Sequence, residues 1–350
     1  MRLNVAWLNI TSNCNLKCRW CYASSHLNQS ATLFDQNHTI NDLLKILKAS
    51  GAKHLVFIGG EPTCLSVLPE YIKVATSYEF EVSLATNGLA LSNYEYAHNL
   101  YEAGLRNIDI SSKGYCDSSY FANTGVDGYK LFLQGIQNCL ELGFNFTVSQ
   151  VFLNDRKESA LKHFQLLDSY GVEHYFFSFE RGCTSCHRSK KDRQAETRRI
   201  AQSFVAFENA FLEIKELLDK KFIVEQVIPR CLWNKDILTS LEKDNQLTKY
   251  CHVQTGNGIV ISQKRDLLLC NALDSISLGK WGEEFNNESE LEIIYKKDKT
   301  KSLLKDLLRL PESKCSSCFD MVNCLGGCPI QWFTYSLEEI ENEIGKLRCS

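Results

Sequence analysis

The sequence predicts an α/β fold, a parallel sheet curled as a full or partial barrel, followed by a smaller cysteine-rich region. Three observations carry this. Over the first 220 of 350 residues, short β-branched apolar runs alternate with amphipathic helical stretches. Several of those stretches close on a glycine placed to cap a helix. From Cys251 onward the alternation stops, and cysteine and glycine set the pattern instead.

The strands are expected at 4–10, 54–59, 81–86, 107–111, 146–152 and 174–180. Between them, helices are expected at 39–50, 68–78, 93–103, 129–142 and 156–170, with Gly51, Gly104, Gly143 and Gly171 as caps. Six such units in succession imply parallel strands with right-handed crossovers. Residues 192–220 read as a long charged helix and 221–249 as a connection, so the expected division is 1–220, 221–249 and 250–350.

Hydrophobic residues make up 44% and charged residues 23% of the chain, an ordinary globular balance. A net charge of -3 argues against a general nucleic-acid binder. No apolar stretch reaches the roughly 20 residues of a membrane span, and the start is too soon polar for a signal peptide. A cytoplasmic location with no membrane partner is expected. In a reducing compartment the 16 cysteines point to metal ligation or catalysis rather than to disulfides.

Functional groups of a parallel α/β sheet gather past the carboxyl ends of its strands. ITSNCNLKCRWCYA (10–23) follows the first strand and brings Cys14, Cys18 and Cys21 together with gaps of three and two residues. GGEP (59–62), TNG (86–88) and SSKG (111–114) follow the next three strands. A 4Fe-4S cluster takes four thiolates, one per iron, so three in one loop leave an iron open. A zinc knuckle or a redox pair is the plainer reading of a bare Cys-x2-Cys.

The Cys-x3-Cys-x2-Cys loop after a first strand, with Trp20 before its last cysteine, resembles the radical S-adenosylmethionine (SAM) enzymes. The resemblance implies a partial (β/α)6 barrel in which SAM chelates the open iron. Reductive cleavage of SAM then gives a 5'-deoxyadenosyl radical that removes a hydrogen from an unactivated carbon. It also implies contacts to SAM from Gly59, Gly60 and Glu61. Asn87, Ser111 and Gln150 stand where the family has further polar contacts, although Lys113 replaces the aspartate of the common Ser-Leu-Asp-Gly pattern.

CSSCFDMVNCLGGC (315–328), with Cys349 after it and Cys251 and Cys270 before it, resembles the SPASM domain of radical SAM enzymes that act on peptides and proteins. That resemblance implies two auxiliary 4Fe-4S clusters, hence three in all. Cys315, Cys318, Cys324 and Cys349 would hold the distal one. Cys251, Cys270 and Cys328 would hold the proximal one, a ligand short. Arg265 stands where the motif has a glycine, which puts the hairpin between Cys251 and Cys270 in question.

Six cysteines fall outside the motifs. Cys231 is a candidate fourth ligand of the proximal cluster, and Cys116 a candidate hydrogen donor. Cys64 and Cys139 are expected as packed thiols, and Cys183 with Cys186 forms an isolated Cys-x2-Cys. His26, Lys113, Asp117 and Glu180 lie in loops where an acid or base could stand, but each reads first as solvated or structural.

The function implied is a maturase that forms a thioether or carbon-carbon cross-link in a ribosomally made peptide. A flavodoxin, ferredoxin or other reductase would supply electrons. With Cys14 so early there is no room for a leader-binding domain before the barrel, so a separate leader-binding protein is expected. The alternatives are a peptide epimerase, a formylglycine-forming sulfatase activator and a small-molecule dehydrogenase. An iron-sulfur scaffold without radical chemistry is disfavoured by Glu61 and the three-cysteine loop.

Overall fold

Successive side chains of the first strand, β1 (Val5–Asn9), point to opposite faces, so this nearly all-apolar run is two-sided: Ala6 and Leu8 are fully buried, while Val5 and Trp7 are partly exposed on the other side. The same logic builds β2 (His54–Ile58), β3 (Glu81–Thr86), β4 (Asn107–Ser112), β5 (Asn145–Val151) and β6 (Tyr175–Ser178). The computed structural model describes residues 3–21, 23, 27–29, 32–181, 190–249, 251–308, 311–333 and 335–349.

The crossover helices are α1 (Ile40–Ala49), α2 (Leu68–Ser77), α3 (Tyr94–Glu102), α4 (Asp117–Thr124), α5 (Tyr129–Leu142) and α6 (Lys157–Tyr170). In α1, Thr39 caps the first turn, and Leu43, Leu44 and Leu47 are buried completely. Each such leucine stabilises the fold by roughly 1.5–3 kcal/mol. Gly143 and Gly171 close α5 and α6 at φ 73° and 97°, left-handed values open to glycine at little cost. Expected and observed elements agree within two residues at their ends, except that α4 was not anticipated.

After β6 comes α7 (Lys190–Leu218), the long charged helix, and then β7 (Phe222–Val224), which pairs parallel with β6. The stretch read as a plain connection thus contains a strand, and also α8 (Lys235–Lys243). The extension continues through α9 (His252–Thr255), β8 (Gly258–Ile261), β9 (Asp266–Leu268) and β10 (Gly279–Lys280). It ends with α10 (Glu288–Lys296), α11 (Asp298–Leu307), α12 (Met321–Cys324) and α13 (Leu337–Arg348).

β8 lies parallel beside β1, and β9 and β10 follow antiparallel. The described strands therefore form one sheet of order β10-β9-β8-β1-β2-β3-β4-β5-β6-β7, which crosses from barrel to extension. The hairpin between Cys251 and Cys270 forms with Arg265 at φ 70°, the left-handed conformation that a glycine would take freely. Its guanidinium reaches Asp35 at 2.8 Å, and its N–H donates to the Ser262 carbonyl at 2.8 Å. No described helix is long and apolar enough to cross a membrane.

Candidate active site and metal centres

The loop after β1 and the loop after β2 stack directly on each other. Gly60 N–H donates to the Thr11 carbonyl at 2.8 Å, and Glu61 N–H to that of Asn13 at 2.7 Å. A Cβ on Gly59 would lie 2.5 Å from the Thr11 carbonyl oxygen, and one on Gly60 2.4 Å from that of Asn13. Only glycine permits that approach. The GG pair thus sets the position of the cysteine loop.

Cys14, Cys18 and Cys21 line a cavity of about 280 Å³. Trp20, Gly59, Gly60, Glu61, Asn87 and Ser111 line it as well. None of the three is in a disulfide bond. Burial pushes the Cys14 thiol up to about 11, with the nearby Glu61, Cys18 and Cys21 charges adding to it against the Leu16 N–H. Burial also raises Cys18, opposed by the Lys113 ammonium. Metal ligation at such thiols releases protons.

Glu61 is almost wholly buried, at 2% exposure. Its Oε1 accepts the Thr63 hydroxyl at 2.7 Å and the Thr86 hydroxyl at 2.6 Å, and its Oε2 accepts the Asn87 N–H at 2.7 Å. The carboxylate expected to face SAM is thus occupied in joining the second loop to the third. The Asn87 side chain donates to Asn15 Oδ1 at 2.7 Å, inside the cysteine loop. Asn28, in a left-handed conformation at φ 57°, accepts the Cys14 N–H at 3.0 Å. Neither Asn15 nor Asn28 stood out in the sequence, because each acts through contacts distant along the chain.

Gln150 requires a correction. It pairs in register with Ser112 and shares the parity of the buried Val148, which turns it toward the helical layer. Its neighbour Val151 lines the cavity instead. A strand residue changes face with each step, so an offset of one exchanges lining for burial. Lys113 also lines the cavity, the one cation among the described lining residues.

Cys116 is the N-cap of α4 and is not among the residues lining this cavity. Burial raises its thiol, but hydrogen bonds from Ser118 and Ser119 outweigh that and bring it below the usual thiol range. Asp117 is exposed. Glu180 is buried rather than solvated, with Arg199 Nε at 3.3 Å and Arg19 of the cysteine loop at 4.0 Å. Cys139 is packed as expected, but Cys64 is exposed in the 3-10 turn after Glu61. His26, Cys183 and Cys186 lie outside the described residues.

In the extension, Cys251, Cys270 and Cys328 line a second cavity of about 430 Å³, together with Arg181 and Glu225. Arg181 pairs with Glu225, and Ser178 donates to the same carboxylate at 2.7 Å. Burial pushes the Cys270 thiol up to about 12, with the Arg181 guanidinium acting the other way. Cys231, expected at this site, is absent from its lining. It lies instead with Cys324 and Cys315, whose charges reach it and add to burial in raising its thiol to about 11.

The turn between Cys324 and Cys328 separates the two sets. Leu325, Gly326 and Gly327 are left-handed in succession, at φ 47°, 73° and 73°. Cys328 N–H then donates to the Val227 carbonyl at 2.9 Å. A Cβ on Gly327 would lie 2.4 Å from that oxygen, so glycine is required there, and of the two cysteines that LGG links only Cys328 lines the second cavity. No group of three or more His, Cys, Asp or Glu suited to one metal ion occurs among the described residues. Cluster thiolates each meet a separate iron. Cys14, Cys18 and Cys21 beside one cavity, and Cys251, Cys270 and Cys328 beside another, fit iron-sulfur clusters on the chemistry of the donors.

Residues 8–167 match the model of the Radical SAM superfamily. The chain is 35% identical over 150 residues to the 7,8-dihydro-6-hydroxymethylpterin dimethyltransferase of Methanocaldococcus jannaschii, covering 41% of this chain and 29% of that protein. It is 30% identical over 146 residues to a probable GTP 3',8-cyclase of Pyrococcus abyssi, covering 42% and 46%. The chain thus spans less than half the length of these two relatives. A probable GTP 3',8-cyclase of Metallosphaera sedula matches over 75% of this chain and 88% of its own length at 23% identity.

Among solved structures, anSMEcpe with bound AdoMet superposes with a TM-score of 0.69 at 15% identity, over 98% of this chain and 95% of that one. Streptococcus suis SuiB bound to S-adenosylmethionine gives 0.65 at 16% identity, over 96% and 76%. At these identities the likeness is one of fold, and it takes in the extension as well as the barrel.

Proposed function

We propose that the chain is a radical SAM enzyme of the SPASM type that modifies a peptide or protein, a reading supported by the match of residues 8–167 to the Radical SAM superfamily model. When bound, a 4Fe-4S cluster with SAM supplies a 5'-deoxyadenosyl radical that removes hydrogen from carbon. Cys14, Cys18 and Cys21 would hold that cluster. Glu61 and Asn87 fix the loops around it, Trp20, Ser111 and Val151 wall the SAM cavity, and Lys113 offers a cation to the methionine carboxylate.

The observation that carries the reading is the pair of thiol sets in the extension, Cys251, Cys270 and Cys328 lining one cavity and Cys324 lying across the left-handed turn of Leu325, Gly326 and Gly327, in an extension whose β8 joins the sheet of the barrel. Cys251, Cys270 and Cys328 would hold the proximal auxiliary cluster, and Cys315, Cys318 and Cys324 three corners of the distal one. Two fold neighbours support a peptide substrate: SuiB has been solved bound to the precursor peptide SuiA, and anSMEcpe with AdoMet and the Kp18Cys peptide. An oxidative cross-link, a thioether or carbon-carbon bond, removes two hydrogens from the substrate. A flavodoxin- or ferredoxin-type donor would supply the electron for SAM cleavage.

A second reading is a nucleotide or pterin substrate, favoured by the names of the sequence relatives, which match over 41% and 42% of this chain. Co-expression with a candidate precursor peptide under anaerobic conditions in heavy water, followed by intact-mass analysis, separates the two. Loss of two hydrogens per site supports cross-linking, and gain of one deuterium supports epimerisation. An unchanged peptide, with GTP consumed by the same protein, would favour the second reading.

A further inference from the structure

Five described cysteines compete for the distal site, where a four-iron cluster takes four. Cys315, Cys318 and Cys324 come from one string. Cys349 follows α13, whose Arg348 donates to the Leu232 carbonyl at 2.7 Å. The fifth is Cys231, in the 3-10 turn Arg230–Leu232.

The backbone brings that turn against Cys324. Arg230 N–H donates to Cys324 Sγ at 3.3 Å. Its guanidinium pairs with Asp320, the N-cap of α12, and with Glu242 of α8. Upstream, Gln226 Nε2 donates to the carbonyls of Asn323 at 3.0 Å and Cys324 at 2.7 Å. Downstream, the buried Trp233 donates its indole N–H to the Ile228 carbonyl at 3.1 Å. The turn is thus fixed on both sides of Cys231, and the thiols whose charge reaches it are Cys324 and Cys315.

We propose that Cys231 is a ligand of the distal auxiliary cluster, completing it with Cys315, Cys318 and Cys324 in the position that motif spacing gives to Cys349. A thiol on a segment already ordered loses little conformational freedom when it binds. The same segment carries Glu225 on the proximal cavity, and its Val227 carbonyl accepts the Cys328 N–H. One strap, 225–231, would therefore tie both auxiliary sites together. This inference rests on the reading of two auxiliary clusters given above.

The test is alkylation of the anaerobic holoprotein with iodoacetamide, mapped by peptide mass spectrometry, before and after the iron is stripped. Cys231 is an exposed residue, so the change in its reaction on stripping the iron reports ligation. The expected result is protection of Cys231 with Cys315, Cys318 and Cys324 in the holoprotein, alkylation of Cys349, and reaction of all five after stripping. Protection of Cys349 in the holoprotein, with or without Cys231, overturns the assignment but leaves the cluster reading intact. Alkylation of Cys315, Cys318 and Cys324 in the holoprotein overturns the cluster reading itself. As a second measure, Cys231→Ala should lose about four irons per chain while Cys349→Ala keeps them; the reverse pattern also overturns the proposal.

Discussion

Glu61 Oε2 accepts the backbone N–H of Asn87 at 2.7 Å, and Asn87 in turn holds Asn15 in the cysteine loop at 2.7 Å. Three strand-end loops are thereby fixed through one buried carboxylate.

Glu61→Gln replaces one accepting oxygen by an NH2 group that faces donors. Leaving such a group unsatisfied costs about 1–3 kcal/mol. The expected outcome is a loss of about 2 kcal/mol in urea unfolding, with SAM affinity at least tenfold weaker by equilibrium dialysis. Glu61→Ala should cost more.

Lys113 is the one cation among the described residues that line the cavity of Cys14, Cys18 and Cys21. Hydrogen bonds to charged groups contribute roughly 1.5–3 kcal/mol, so Lys113→Met should weaken SAM binding about tenfold to a hundredfold. Iron content should stay at the wild-type level, since no cysteine is touched. Unchanged SAM affinity would remove Lys113 from the binding site.

Gln150 and Val151 differ by one residue and by one face of β5. Gln150→Leu removes a buried amide whose Oε1 has no hydrogen-bond partner among the described residues. It should leave SAM affinity unchanged and stability within about 1 kcal/mol of wild type or above it. Val151→Trp fills cavity volume and should weaken SAM binding at least tenfold. Equilibrium dialysis on both variants checks the assignment of faces.

This pair also marks how far the sequence could be read. The third strand was expected at 81–86 and is found at Glu81–Thr86, because period-two patterning and glycine caps are local signals. The cysteine loop, GGEP, Asn87 and Ser111 meet at one cavity for the same reason: strand ends share an edge of the sheet. Gln150 was misplaced because parity depends on register, which local pattern leaves open by one residue. The pairing of β8 with β1, and of Cys231 with Cys324 rather than Cys328, depends on contacts over 90 residues or more along the chain, for which the sequence holds no local mark. Arg265 at φ 70° shows a motif glycine replaced while its backbone conformation is kept.

His163 is buried between the Tyr129 hydroxyl at 2.9 Å and the Ser112 hydroxyl at 3.3 Å. Burial pulls its imidazole down to about 3, below the ordinary value of 6.5. Between those values the unfolded chain binds the extra proton and the folded one does not. The contribution of His163 is therefore complete above pH 6.5 and is lost as pH falls toward 3, at up to about 1.4 kcal/mol per pH unit. Unfolding of the iron-free protein followed from pH 7 to pH 5 should show that slope, and His163→Gln should flatten it.

On the proposed function, a reduced 4Fe-4S cluster held by Cys14, Cys18 and Cys21 would supply the electron that cleaves SAM. The direct measurement is anaerobic incubation of the iron-reconstituted protein with SAM and dithionite, with 5'-deoxyadenosine followed by mass spectrometry. A variant carrying Cys14→Ala, Cys18→Ala and Cys21→Ala serves as the comparison. Formation of 5'-deoxyadenosine by the native protein and none by the variant is the predicted result. Equal amounts from both, or none from a native protein with full iron content, would contradict the account.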